Sequence, residues 1–312
     1  MTTAPHLCIG TRGSPLALAQ AHEVRNRLIA AHPDLAAPGA IAIEVIRTTG
    51  DAMTDRPLAE IGGKGLFTKE IEEALIERRI DLAVHSMKDV PTALPAGLVI
   101  DCVLPREDPR DALIATGVKS LADLPRGARI GTASLRRQAQ LLRARPDFTM
   151  VMLRGNVETR VRKVRDGVAD ATLLALAGLK RLDALHHVAA VLELEAMLPA
   201  VAQGAIGIER RLDDRRVAAL LAPINHKESL IRITAERALL AALEGDCRTP
   251  IAALAEIDGN QLRLRALLAT PDGRACHRAE RHAPLADAAR LGHELGEALK
   301  AEAGPGFFAW RS

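Results

Sequence analysis

Over roughly the first 220 residues, short apolar runs alternate with amphipathic stretches. An apolar strand over 7–10 breaks at Thr11-Arg12-Gly13. Ser14 then supplies a helix N-cap, and Pro15 takes the first helical position, where its missing N–H is not needed. Ala17, Ala21, Val24 and Leu28 recur on one face of that helix. A second strand covers 41–46. From 48 to 65 no period is visible, and Gly50, Gly62, Gly63 and Gly65 mark a mobile loop. A charged helix over 68–79 follows. A buried strand over 81–85 then runs into Ser86-Met87-Lys88-Asp89, and 98–104 forms another strand.

The pattern restarts after Arg110. Strands at 129–132, 148–153 and 169–175 alternate with two helices. Ser134 caps the first, which reaches Arg143; the second is basic and ends near Gly167. This βαβ rhythm predicts two parallel-sheet α/β domains. The run 205–209 reads as a late strand able to return to the first domain, which gives the two crossovers of a hinged binding cleft. The remainder differs. A long helix over 227–244 carries Ile231, Ala235, Ala238, Leu239 and Ala242 on one stripe. Two or three strands turn at Asp258-Gly259-Asn260 and Asp272-Gly273, and a helix over 285–301 closes a small α+β domain. The expected domains are 1–104 with 203–222, then 105–202, then 223–312.

Composition narrows the function classes. Of 312 residues 48% are hydrophobic, enough for real cores, but only 2% are aromatic and none is Tyr. Base stacking on aromatic platforms is therefore excluded as a principal mode. The net charge of +3 is no overall footprint of a nucleic-acid binder. Cys8, Cys102, Cys247 and Cys276 form no CxxC pair or zinc spacing, and are too few for a disulfide framework. The opening MTTAPHLCIG lacks the basic and apolar regions of a signal peptide, and no apolar run reaches the ~18–20 residues of a membrane span. A cytoplasmic monomer without membrane or nucleic-acid partners is expected.

Basic residues cluster where predicted strands end and helices begin: Arg12, Lys88, Arg136, Arg137, Arg154 and Arg160. In open α/β sheets ligands bind at those strand ends, where helix N-termini present free N–H groups to anions. Ser14, Ser86, Thr132 and Ser134 add hydroxyls there. Arginine pairs with carboxylates through two parallel hydrogen bonds, so so many separate cations point to a ligand with many carboxylates. Gly62-Gly63-Lys64-Gly65 lacks the spacing of a phosphate-binding loop. Arg143, Arg145, Arg162, Lys163 and Arg165 read as solvated surface. Asp89, after a buried strand, is either a carboxylate that stabilises cationic charge and moves protons, or an N-cap or ion-pair partner of Lys88. His85 reads as a packed core histidine. Cys247, on a loop beside Arg248, is either a nucleophile of lowered pKa or a small buried hydrophobe.

Eight segments together resemble the porphobilinogen deaminase (hydroxymethylbilane synthase) family. They are Thr11-Arg12-Gly13-Ser14-Pro15-Leu16-Ala17-Leu18, Gly62-Gly63-Lys64-Gly65-Leu66-Phe67, Val84-His85-Ser86-Met87-Lys88-Asp89-Val90-Pro91, Ser134-Leu135-Arg136-Arg137-Gln138, Leu153-Arg154-Gly155-Asn156-Val157-Glu158-Thr159-Arg160, Leu176-Ala177-Gly178-Leu179-Lys180-Arg181-Leu182, Pro199-Ala200-Val201-Ala202-Gln203-Gly204 and Glu244-Gly245-Asp246-Cys247. They run in the family's order along nearly the whole chain. The resemblance implies two hinged α/β domains like those of periplasmic binding proteins, plus a small C-terminal α+β domain. It also implies a dipyrromethane cofactor held through Cys247 by a thioether, with Asp89 as the catalytic carboxylate. Lys88, Ser86, Thr132, Ser134, Arg136, Arg137 and Gly155 then bind the cofactor. Arg12, Ser14, Lys64, Phe67, Arg154, Arg160 and Gln203 bind the substrate porphobilinogen, with the loop around Lys64 as a lid. The implied reaction joins four porphobilinogen units, with loss of ammonia, into the linear tetrapyrrole hydroxymethylbilane. Ala133 and Asp246 depart from the family's pattern, in which a hydroxyl and a small residue are usual. The competing readings are a non-enzymatic anion-binding module of the solute-binding type, a DNA-binding regulator using the basic helix near Arg160, and an enzyme that has lost its activity.

Overall fold

The computed structural model describes residues 6–52, 65–245 and 249–308. Lys64, Asp246 and Cys247 lie outside the described residues. β1 (Leu7–Thr11) ends just before Ser14, whose Oγ accepts from the Ala17 N–H at 3.2 Å and opens α1 (Pro15–Ala31). β2 (Ile41–Val45), the short α2 (Thr49–Ala52), α3 (Lys69–Ile76), β3 (Leu82–Ser86) and β4 (Leu98–Val103) follow. A single 3-10 turn over Met87–Asp89 extends β3. Next come β5 (Asp111–Ala115), β6 (Arg129–Gly131), α4 (Leu135–Ala144), β7 (Thr149–Val151), α5 (Val157–Arg165), β8 (Ala171–Ala175), α6 (Leu176–Arg181) and β9 (Ala190–Val191). The chain ends through β10 (Ile206–Arg211), α7 (Arg215–Leu221), α8 (Lys227–Ala242), β11 (Ile251–Asp258), β12 (Gln261–Ala269), β13 (Cys276–Pro284) and α9 (Ala288–Ala303).

These elements form two compact units. The first takes 6–52, 65–107 and 205–230 of the described residues, the second 108–204 and 231–308. In the first, the strand order is β2-β1-β3-β10-β4. β1, β2 and β3 run parallel, and β10 lies antiparallel to both β3 and β4. Alternation along the strands splits the core. Leu7, Ile9, Leu82, Val84, Ile206 and Ile208 pack with Ala21, Val24 and Leu28 of α1, while Ile80 and Ala83 meet Ile71, Ala74 and Leu75 of α3. β10 is buried along its whole length and still carries three charges. Each is paired: Glu209 with His85, Arg210 with Asp101, and Arg211 with Asp214. Arg211 also donates to the carbonyls of Leu75 and Ile80 at 2.9 and 2.7 Å. A lone buried charge there would be strongly destabilising.

The second unit repeats the pattern as β7-β6-β8-β5-β9, with β6, β7 and β8 parallel and β5 antiparallel to β8 and β9. In both sheets the antiparallel fourth strand is the first one after the chain enters that unit. β5 was not read from the sequence: its apolar run is short, and Arg110 and Asp111 interrupt the approach to it. The same unit holds a three-stranded antiparallel sheet, β11-β12-β13. Ala252, Leu254, Leu267 and Ala269 of that sheet pack on Ala139 of α4 and on Leu198. α9 closes on α8 through glycine. A Cβ at Gly292 would stand 2.1 Å from the Ala235 carbonyl oxygen, so no larger residue fits. Among the described residues no helix is long and apolar enough to cross a membrane, and no group of three or more His, Cys, Asp or Glu is arranged to hold a metal ion.

Candidate active site

The first unit gathers its predicted residues behind β1 and β3. These strands are parallel, so their carboxyl ends share one edge of the sheet. Arg12 and Ser14 follow β1; Ser86 ends β3, and Lys88 and Asp89 stand exposed on the next turn. Arg12 is the hub. Its Nη1 lies 3.9 Å from Asp89 Oδ2, and its guanidinium carbon sits 4.2 Å from the centre of the Phe67 ring. A guanidinium stacked on an aromatic face keeps its edge available for hydrogen bonds. Asp89 remains about one-third exposed (35%), enough to meet a ligand. Ser14 is held as the cap of α1.

Beneath this group lie two residues that the sequence reading had missed, Gln20 and Glu209. Gln20 is buried and its Nε2 donates to Ser86 Oγ at 2.8 Å. The signal was available, since Gln20 falls on the otherwise apolar face of α1 at the position between Ala17 and Ala21. His85 is buried as expected, but it is not packed only among apolar groups: its Nε2 lies 2.9 Å from Glu209 Oε2, which is also fully buried.

The second unit places Thr132 and Ser134 between β6 and α4. Thr132 Oγ1 accepts from the Ser134 N–H at 3.1 Å, and Ser134 Oγ caps α4. Arg136 and Arg137 occupy the first turn of α4, but both are buried. Their guanidiniums turn onto Asp111, the first residue of β5. Arg136 Nη2 donates to Oδ2 at 2.8 Å and Arg137 Nη2 to Oδ1 at 2.7 Å. Their Nη1 atoms donate to the Leu198 and Leu173 carbonyls, each at 2.8 Å. Gln203, read as a substrate contact, belongs to the same cluster: buried, it donates to Asp111 Oδ1 at 3.0 Å and to the Pro109 carbonyl at 2.7 Å. Burial alone would raise the Asp111 carboxyl, but the charges of Arg136 and Arg137 outweigh it and hold the group far below the ordinary carboxylate range.

Arg154, Gly155 and Arg160 meet at the start of α5. Gly155 has φ +122, a conformation that side-chain-bearing residues rarely adopt, and its carbonyl accepts from Arg160 Nε at 2.8 Å. Lys163 donates to the Arg154 carbonyl at 3.1 Å, and Asn156 caps the helix by accepting from the Thr159 N–H. Arg145 corrects the expectation of a solvated side chain. It pairs with Asp147 at 2.8 Å, lies over the Phe148 ring at 4.4 Å, and donates to the carbonyls of Leu121 and Leu124.

Two five-stranded sheets of one topology, each followed by arginines and hydroxyls, with Asp89 accessible behind the first, define an α/β protein of two similar units. Residues 7–219 match the family model described as porphobilinogen deaminase, dipyromethane cofactor binding domain, and 230–301 match its C-terminal domain. The chain is 59% identical over 302 residues to porphobilinogen deaminase of Paracoccus denitrificans, covering 97% of this chain and 96% of that one. It is 55% identical over 304 residues to the chloroplastic porphobilinogen deaminase of Oryza sativa, covering 96% and 85%. Among solved structures, the methionine binding protein MetQ aligns with a TM-score of 0.43 and 11% identity over 72% of this chain and 89% of that one. The chain belongs to the porphobilinogen deaminase family, transferases of tetrapyrrole biosynthesis.

Proposed function

We propose that this chain polymerises four porphobilinogen units into hydroxymethylbilane on a dipyrromethane attached to Cys247. The reading rests most on one arrangement: Asp89, partly open and directly behind a buried strand, stands beside Arg12, whose guanidinium lies over the Phe67 ring. The chain's donors suit a group that bears several carboxylates. Arg136 and Arg137 each keep a buried Nε without a hydrogen-bond partner, and their two charges face the single carboxylate of Asp111. Lys88, Ser86, Thr132, Ser134, Arg136, Arg137 and Gly155 would hold the dipyrromethane, which supplies a nucleophilic pyrrole α-carbon when bound. Arg12, Ser14, Lys64, Phe67, Arg154, Arg160 and Gln203 would serve the incoming porphobilinogen. The three-domain division, with the cofactor cysteine in the third, a cytoplasmic location and a monomeric state belong to the same proposal.

In each cycle the aminomethyl C–N bond of porphobilinogen breaks and ammonia leaves. The dipyrromethane, when bound, would supply the free α-carbon for the new C–C bond, a proton being lost as aromaticity returns, and after four additions water would cleave the tetrapyrrole from it. The Asp89 carboxylate accepts a hydrogen bond from the pyrrole N–H as positive charge develops there, and takes up or returns the proton. Arg12, with Nη1 3.9 Å from the Asp89 carboxylate, helps hold that carboxylate in place. Arginines offset the carboxylates that every added ring brings. The test is stoichiometry: porphobilinogen given to the purified chain should release one ammonia per unit consumed and four per tetrapyrrole formed. Porphobilinogen bound without ammonia release would overturn the enzymatic reading in favour of an anion-binding module.

A further inference from the structure

We infer that Asp111 is a positioning residue that sets Arg136 and Arg137 side by side and leaves the pair one net positive charge, matched to one ligand carboxylate. The inference rests on the functional reading above. Asp111 is fully buried, and three donors converge on its carboxylate: Arg136 Nη2 at 2.8 Å, Arg137 Nη2 at 2.7 Å and Gln203 Nε2 at 3.0 Å. Its two oxygens take one guanidinium each, which fixes both groups from the inner side. Two guanidiniums against one carboxylate leave a single positive charge uncompensated in a buried setting. That imbalance disfavours the cluster by itself and favours one further anion. Without Asp111 the two adjacent cations would repel and splay, and ligand carboxylates would meet a mispositioned pair. None of this was legible in the sequence, where Asp111 is one acid in the run Glu107-Asp108-Pro109-Arg110-Asp111.

The test compares full-length wild type, Asp111→Ala and Asp111→Asn. The alanine leaves a carboxylate-sized space facing three donors, and formate has the size and charge to enter it. The asparagine fills that space and removes only the charge. Both variants, taken as the chain without primer, should need about thirtyfold more porphobilinogen, or beyond, for half-maximal loading of the pyrrole primer read by intact mass, while kcat of the loaded chain changes less, as expected for losing one partner of a buried charge cluster. Formate, but not chloride, should bring primer loading of Asp111→Ala back toward wild type and raise its melting midpoint. Asp111→Asn and wild type should not respond to formate. Unchanged primer loading in both variants overturns the inference, as does an Asp111→Ala protein indifferent to formate. Should Asp111→Ala not fold, the primer loading of Asp111→Asn decides. A wild type that consumes no porphobilinogen refutes the functional reading instead, and the formate-dependent melt of Asp111→Ala still decides whether Asp111 organises the arginine pair.

Discussion

Replacing Gly155 with Ala perturbs the loop that presents Arg154 and Arg160. Two effects add. At φ +122 a residue with a side chain is strained by about 1–3 kcal/mol. The new Cβ would also stand 2.6 Å from Thr159 Cγ2 and 2.8 Å from Thr159 Cβ. Thr159 is β-branched and sits in the first turn of α5, so it yields little, and forced overpacking of this kind costs about 1–3 kcal/mol. Relief by tilting the turn breaks the 2.8 Å bond from Arg160 Nε to the Gly155 carbonyl. The expected loss is about 2–6 kcal/mol, which at an m-value of about 3 kcal/mol/M lowers the urea midpoint by about 0.7–2 M. KM for porphobilinogen should rise as well. Adding Thr159→Ala removes the nearer contact but neither the Cβ contact nor the backbone strain, so it should recover only part of the loss. An unchanged midpoint in Gly155→Ala, or complete recovery in the double variant, would refute the reasoning.

Asp89→Asn should fold and take up the pyrrole primer but lose about 10²–10³ in kcat, because an amide neither stabilises cationic charge nor carries the proton; single-turnover ammonia release checks this. Asp111 governs acid stability. Its folded pKa lies far below the unfolded value of about 3.9, so its contribution is present above that value and fades as pH falls below about 4. The urea midpoints of wild type and Asp111→Asn should therefore differ most near neutrality and converge in acid, and a gap that widens in acid contradicts the assignment. Cys8 and Cys102 should resist alkylation of the native protein at mildly alkaline pH. Burial, then Glu44, pushes the first up to about 11, and burial, then Asp101, pushes the second up to about 12. Mass spectrometry of the labelled protein should find both modified only after unfolding.

The alternation of apolar runs and capped helices carried most of the fold, because Ser14, Ser134 and Gly167 after α5 are local signals. Strands such as β3 and β8 were legible because both faces are covered and their sequences are nearly all apolar. β5 was hidden because its first residue is a charge, and that charge is buried only through partners far away in sequence. The same holds for β10, whose Glu209, Arg210 and Arg211 look like a solvated strand end until His85, Asp101 and Asp214 are brought to them. At the site, position along the chain was enough to place arginines behind strands. It did not tell which faced inward: Arg136 and Arg137 look like Arg12 in sequence, yet they are buried on Asp111 while Arg12 stacks on Phe67 beside Asp89.

The central claim is a covalent pyrrole primer on Cys247, and the intact mass of the purified chain tests it most directly. After incubation with porphobilinogen, wild type should carry an excess equal to two linked pyrrole units and Cys247→Ala should carry none. A bare mass in both, or the same excess in both, would contradict the account.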